Sequence, residues 1–231
     1  MLLAFLAIPV LVAEFVARKL VADAVAHAVE ARIGVSPKIG FGSAPLLLQI
    51  VRGRLDTVTV SARGARIGGL PPVAFSATLR DVHLRSLTSL EGAIGSLSVD
   101  ARLSPSGVRD LLATPACIDS LPASLLPALT HSPRVVLLPG RIDLLPPSGR
   151  AAEARLRPYA SGTTLRFALT GLELGGREVS AGALSSARSA VRCSRTLGAL
   201  PFGVSLTSAL AGAGTLQLAF AGRDASFSAL G

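Results

Sequence analysis

The chain has 231 residues, half of them hydrophobic and only 16% charged, with a formal net charge of +9. Its mean hydropathy of +0.56 excludes an intrinsically disordered chain. The lack of a second run of about 20 apolar residues excludes a polytopic helical membrane protein. Only Lys19 and Lys38 among the 23 basic residues are lysines, so arginine carries the charge, and its guanidinium fork grips phosphate in bidentate fashion.

Residues Leu2 to Ala13 form an uncharged apolar run, followed by Glu14 and Arg18-Lys19. The run has the length of a secretory signal core, about 7–15 residues, and is too short to span a bilayer unaided. It lacks a positive leading segment, and no small-x-small cleavage site follows at a suitable distance. Residues 1–17 read as an export signal or membrane anchor; a helix dipping into a membrane surface and a buried core helix are the alternatives. Arg18-Lys19 lies on the wrong side for an exported anchor under the positive-inside rule. Residues 18–231 read as one α+β domain, because no polar linker divides them.

From Glu14 to Ile33 the apolar residues Ala17, Val21, Ala24, Val25, Ala28 and Val29 recur at helical spacing, which predicts an amphipathic helix stopped at Gly34. Pro45 opens the apolar segment Leu46–Val51, followed by Arg52-Gly53-Arg54. The period then becomes two. Val58, Val60 and Ala62, then Val73, Phe75, Ala77 and Leu79, then Leu97, Val99, Ala101 and Leu103 predict half-buried antiparallel strands. The apolar phase is odd through Leu79 and even at Val82 and Leu84, which predicts a bulge or kink at Arg80-Asp81. A similar switch falls at Thr170-Gly171, and Gly53-Arg54-Leu55-Asp56 recurs as Gly140-Arg141-Ile142-Asp143. Together these suggest two related strand units bent the same way. Ser104-Pro105 starts a short helix reaching Ala113. Residues 114–149 are Pro-rich and read as irregular or inserted. Strands return around Phe202, Val204 and Leu206 and around Leu216, Leu218 and Phe220, with Gly212-Ala213-Gly214 as the turn.

Little of the sequence announces chemistry. Cys117 and Cys193 match no metal spacing; in an oxidising compartment they can pair, and in a reducing one they are ordinary buried thiols. His27, His83 and His131 are scattered. Gly40-Phe41-Gly42-Ser43-Ala44-Pro45 starts like a dinucleotide loop, but Pro45 stands where the third glycine belongs. There is no G-x-S-x-G elbow and no P-loop. No catalytic residue, metal site or cofactor is indicated. Nucleic acid is a poor partner as well, because the arginines are spaced singly and only 4% of residues are aromatic. The basic surface suits an anionic membrane better.

The apolar start running into the helix at Glu14–Arg32, Ser43-Ala44-Pro45-Leu46-Leu47-Leu48-Gln49 and Gly53-Arg54-Leu55-Asp56-Thr57-Val58-Thr59-Val60 resemble the actinobacterial LmeA-like phospholipid-binding family. Leu79-Arg80-Asp81-Val82 and Leu200-Pro201-Phe202-Gly203-Val204-Ser205-Leu206-Thr207 also fit. The likeness covers roughly residues 10–104 and 197–222, and the middle with both cysteines diverges from it. The resemblance implies a cell-envelope protein that binds phospholipid, including inositol phospholipid, and supports envelope glycolipid assembly. It also implies a long curved antiparallel sheet wrapped around the N-terminal helix, similar to tubular lipid-binding folds, and transfers no catalytic residue.

Such a sheet leaves an apolar trough in which an acyl chain gains about 0.8 kcal/mol per buried CH₂. Leu46, Leu47, Leu48, Ile50, Val58, Val60, Phe75, Leu79 and Val82 are the candidate lining, and Arg52 and Arg54 the candidate headgroup ligands. The expected partners are an anionic phospholipid and a membrane surface. The competing functions are a peripheral envelope enzyme and a structural envelope component without a lipid cavity.

Overall fold

The computed structural model describes residues 2–86, 91–113, 117, 133–146, 152–191, 193–198 and 200–227. Its helices are α1 (Leu2–Ile33), α2 (Leu46–Val51), α3 (Pro105–Leu112) and α4 (Ala181–Ala190). The strands are β1 (Lys38–Phe41), β2 (Arg54–Ala65), β3 (Val73–Ser86), β4 (Glu91–Leu103), β5 (Arg134–Leu138), β6 (Arg141–Leu145), β7 (Ala152–Ser161), β8 (Thr164–Leu174), β9 (Arg177–Glu178), β10 (Ser194–Thr196), β11 (Ser205–Gly212) and β12 (Thr215–Phe227). The fold is therefore α+β with antiparallel strands, as the sequence predicts.

The strands make two sheets. One runs β1-β2-β3-β4-β12-β11, and the other β10-β8-β7-β6-β5 with β9 against β8. Alternation decides which side chains they bury. In the first sheet Val60, Ala77 and Phe220 face the core beside Val99, while Thr59, Ser76 and Ser98 face outward. Helix α1 packs on β1 and α2, has Val21, Val29 and Ile33 partly buried against the core, and stops at Gly34, whose φ of 74° favours glycine. Helix α3 begins as predicted, with the Ser104 hydroxyl accepting the Gly107 N–H at 3.3 Å.

A crease crosses four strands of the first sheet. Inward-facing positions normally recur every two residues, yet here Leu55 is followed by Val58, Leu79 by Val82, Ile94 by Leu97, and Gly222 by Ala225. The pairing runs through unshifted, with Thr57, Arg80, Ser96 and Arg223 in one row and Leu55, Val82, Ile94 and Ala225 in another. All four strands turn over together, so none gains a residue on its neighbour. Asp81 and Asp224 make the turn with φ of 54° and 51°, a region that Asp tolerates better than most residues. By register Gly95 lies between them, and a Cβ on it would sit 2.9 Å from the Asp81 Cβ. The kink expected at Arg80-Asp81 is this crease, and it is not a bulge.

The second switch is of another kind. Pairing of β7 with β8 shifts between Arg155 and Leu156, which leaves Thr170 as the extra residue of a true bulge. The Thr170 hydroxyl donates to the Arg155 carbonyl at 3.0 Å. The two motifs are therefore not equivalent units: β2 pairs directly with β3, whereas β7 separates β6 from β8. Phe202 also departs from expectation. It sits at φ 62° in a 3₁₀ turn, Pro201–Gly203, and the strand starts only at Ser205.

Within the Pro-rich stretch the described residues form the β5–β6 hairpin. Pro133 precedes it, Pro139 lies in its turn and Pro146 follows it, positions where a missing N–H breaks no ladder. Pro115, Pro122, Pro127, Pro147 and His131 lie outside the described residues. The hairpin joins the sheets, since Gly140 N–H donates to the Ala211 carbonyl at 2.8 Å and Gly214 N–H to that of Leu137 at 3.0 Å. A second link runs from the β2–β3 loop to the segment after β10, through Gly198 N–H to the Gly68 carbonyl at 3.2 Å. A disulfide joins Cys117, beyond α3, to Cys193, beside β10.

Candidate functional site

The apolar segment after Pro45 folds as a single short helix held by two side chains of α1 and by its own Gln49. The Glu14 carboxylate accepts the N–H groups of both Leu46 and Leu47, the latter at 3.0 Å, and so satisfies two donors at the start of α2. Arg18 pairs with Glu14 at 2.7 Å and donates to the carbonyls of Gly42 at 3.3 Å and Ala44 at 2.8 Å. Those donors at Leu47 and Leu46, with Arg18, hold the Glu14 carboxyl below the usual carboxylate range against partial desolvation. Gln49 completes the joint: its amide donates to the Ala44 carbonyl at 2.9 Å and its carbonyl accepts the Asp56 N–H at 2.8 Å. The start of α2 is thus pinned to α1 and its Gln49 side to β2.

The helical turn then sorts the predicted lining. Leu46 is fully buried, Ile50 half-buried on the same side, and Leu47 half-buried beside them. Leu48 is exposed on the opposite side with Val51. The expectation that Leu48 lines the same trough is corrected on this ground, because one residue in a helix rotates about 100° from its neighbour.

Val58, Val60, Phe75, Leu79 and Val82 share the inner face of β2 and β3, with Val58 opposite Leu79, Leu55 opposite Val82 and Ala62 opposite Phe75. Val58, Val60, Phe75 and Val82 are buried, and Leu79 is not: it stays half-buried although β3 is a central strand. Its diagonal neighbour on β4, Val99, is half-buried too, and so is Leu84 beyond the crease. Helix α2 stands over β2 to one side. The 3₁₀ turn stands over β12 to the other, where a Cβ on Gly222 would lie 2.9 Å from Val204 Cγ1. On the inner face Leu79, Leu84 and Val99 stay half-buried against the core, as do Ile50 of α2 and Phe202 of the 3₁₀ turn. Central strands of a closed core bury such side chains.

The two predicted headgroup arginines part company. Arg54 pairs with Asp81 at the crease, so its charge is engaged within the protein. Arg52 is exposed beside Val51 and makes no side-chain hydrogen bond or ion pair among the described residues. Glu14, Arg18, Gln49 and Val99 are not among the site residues the sequence predicts. Gln49 alone left a signal there, as the one polar residue inside an apolar run.

Among the described residues, no group of three or more His, Cys, Asp or Glu is arranged to hold a metal ion, and no helix is long and apolar enough to cross a membrane. Residues 12–221 match the family model described as LmeA-like phospholipid-binding. No curated protein and no solved structure matches the chain.

Proposed function

Since the chain belongs to the LmeA-like phospholipid-binding family, we propose that it holds a phospholipid with acyl chains along the strip of Ile50, Leu79, Leu84, Val99 and Phe202. The observation that carries this reading is the pair of half-buried side chains, Leu79 and Val99, on two central strands of the first sheet. Covering them with an acyl chain recovers about 0.8 kcal/mol per CH₂ withdrawn from water. Arg52, exposed at the end of α2, is the cation offered to the phosphate, and an anionic lipid, inositol phospholipid included, suits it. The role is that of a binder or carrier supporting envelope glycolipid assembly at a membrane surface. Export to the cell envelope agrees with the Cys117–Cys193 disulfide, since disulfides persist in oxidising compartments.

Lipid extraction of the purified, disulfide-intact protein followed by mass spectrometry tests this. A co-purifying phospholipid is expected, reduced at least fivefold in Leu79→Trp and Val99→Trp, whose indoles fill the strip. Lipid-free protein that also takes up no fluorescent phospholipid overturns the reading, as does unchanged loading in both variants.

A further inference from the structure

We propose that the outer face of the second sheet, around Tyr159, binds a phosphorylated sugar, with Arg157 and Arg166 on its phosphate and the tyrosine ring under the sugar. Tyr159 is the chain's one tyrosine and is 41% exposed. Along β7 and β8 alternation buries Pro158, Leu165 and Phe167 on the inner face and leaves Arg157, Tyr159 and Arg166 exposed on the outer one. Register sets these three side by side, with Tyr159 directly opposite Arg166 and Arg157 directly opposite Ala168. Arg157 and Arg166 are therefore diagonal neighbours about 7–8 Å apart, a separation that long side chains close. The same face continues in hydroxyls: Thr164 opposite Ser161, and Ser194 of β10 opposite Arg166. Arg157, Tyr159 and Arg166 make no hydrogen bond, ion pair or ring contact among the described residues.

The acids of this face are all engaged one step away. Arg155, two residues before Arg157 on β7, binds Glu153 at 3.0 Å, Glu173 at 3.2 Å and Glu178 at 2.9 Å. Glu153 and Glu173 are paired across the two strands two positions beyond Arg155, so Arg155 stands between them and Arg157. On β6, Asp143 is buried and paired with Arg141 at 3.3 Å. Helix α4 and β10 carry no carboxylate, and Arg188 of α4 is occupied by the Leu169 and Thr170 carbonyls at 3.0 and 2.8 Å. Among the described residues, then, no acid of the surrounding elements is left for Arg157 and Arg166, and their anion comes from outside. Two guanidinium forks select that anion: a carboxylate, with two oxygens, fills one fork, whereas the terminal oxygens of a phosphate monoester serve both. Beside it the exposed phenol ring offers an apolar face to the C–H side of a sugar, and the neighbouring hydroxyls both donate and accept hydrogen bonds. One ring and two arginines are too few for a nucleic-acid strand, which takes a series of aromatic side chains along a cationic groove.

Leu79 and Val99 belong to the first sheet, so this site and the phospholipid reading fail separately. Isothermal titration of full-length, disulfide-intact protein with glucose 6-phosphate, glucose, inorganic phosphate and AMP tests it. Glucose 6-phosphate is expected to bind at least fivefold more tightly than inorganic phosphate, and glucose to show no binding in the millimolar range. Arg157→Gln/Arg166→Gln is expected to weaken glucose 6-phosphate at least tenfold with an unchanged melting temperature. Arg157→Lys/Arg166→Lys, which keeps both charges and loses both forks, is expected to weaken it at least threefold. Tyr159→Ala is expected to weaken it at least fivefold while inorganic phosphate stays within twofold, a split that general loss of structure does not produce. Arg52→Gln, away from this sheet, is expected to leave it unchanged. No saturable binding of glucose 6-phosphate overturns the proposal, as does binding that survives the double glutamine variant. Equal affinity of the wild type for glucose 6-phosphate and inorganic phosphate also overturns it. AMP bound more tightly than glucose 6-phosphate overturns the sugar and assigns the ring to a nucleobase.

Discussion

The crease can be tested through the one contact that explains its glycine. Gly95 does not occupy a positive φ, so alanine is excluded there by space and not by backbone conformation. The added Cβ meets Asp81 Cβ at 2.9 Å, whereas carbon atoms settle about 3.5–4.0 Å apart, so β3 and β4 must part by about 0.5–1 Å. Overpacking of this size costs about 1–3 kcal/mol. In a domain of this length that lowers the melting temperature by roughly 2–4 °C per kcal/mol. Asp81→Gly removes the obstructing Cβ and the cost of a left-handed L-residue, about 1–2 kcal/mol, and forfeits an exposed ion pair with Arg54 worth under about 1 kcal/mol. In that background the nearest remaining neighbours of an alanine at 95 are the carbonyl oxygens of Arg80 and residue 81, both at 3.6 Å, an ordinary contact. Gly95→Ala is therefore expected to cost at least about 1 kcal/mol less beside Asp81→Gly than in the wild type. Urea unfolding of the wild type, both single variants and the double variant measures this coupling. Additivity within about 0.5 kcal/mol would refute the steric account of the crease.

The Glu14 joint carries a pH signature. Its folded pKa lies below the ordinary value, so its contribution is present above the unfolded pKa, near 4.3, and disappears as pH falls through the lower folded value. Hydrogen exchange at the Leu46 and Leu47 amides is expected to lose protection over that acid range, and Glu14→Gln to show reduced protection already at neutral pH. Asp143 behaves oppositely: burial raises its pKa despite the nearby Arg141, so the fold loses stability as pH rises from the ordinary Asp value through the raised one. The melting temperature of Asp143→Asn minus that of wild type is expected to increase between about pH 3 and pH 7. The Cys117–Cys193 bond closes a long loop, its ends 76 positions apart in sequence, so Cys117→Ala/Cys193→Ala is expected to cost about 2–5 kcal/mol in denaturant unfolding.

Much of the architecture is legible residue by residue. Period-two runs mark β2, β3, β4 and β12, Ser104 marks the start of α3, and the phase change at Arg80-Asp81 marks the crease on β3. Each of these is a local property, since alternation and capping depend on residues a few positions apart. The same local signal at Thr170-Gly171 proved to be a bulge, because a phase change does not say whether the neighbouring strands change phase too. Phe202 reads as a strand residue by spacing, yet its positive φ lets the chain turn over β12 before β11 begins. The site depended still more on the assembled fold. Glu14 reaches α2 across 32 positions of sequence, a distance no periodicity encodes. Leu79 and Val99 look like any other core residues in their strands, and their partial exposure appears only in the assembled fold. Composition and alternation determine which face of each strand is apolar; what covers that face is settled by contacts between distant elements.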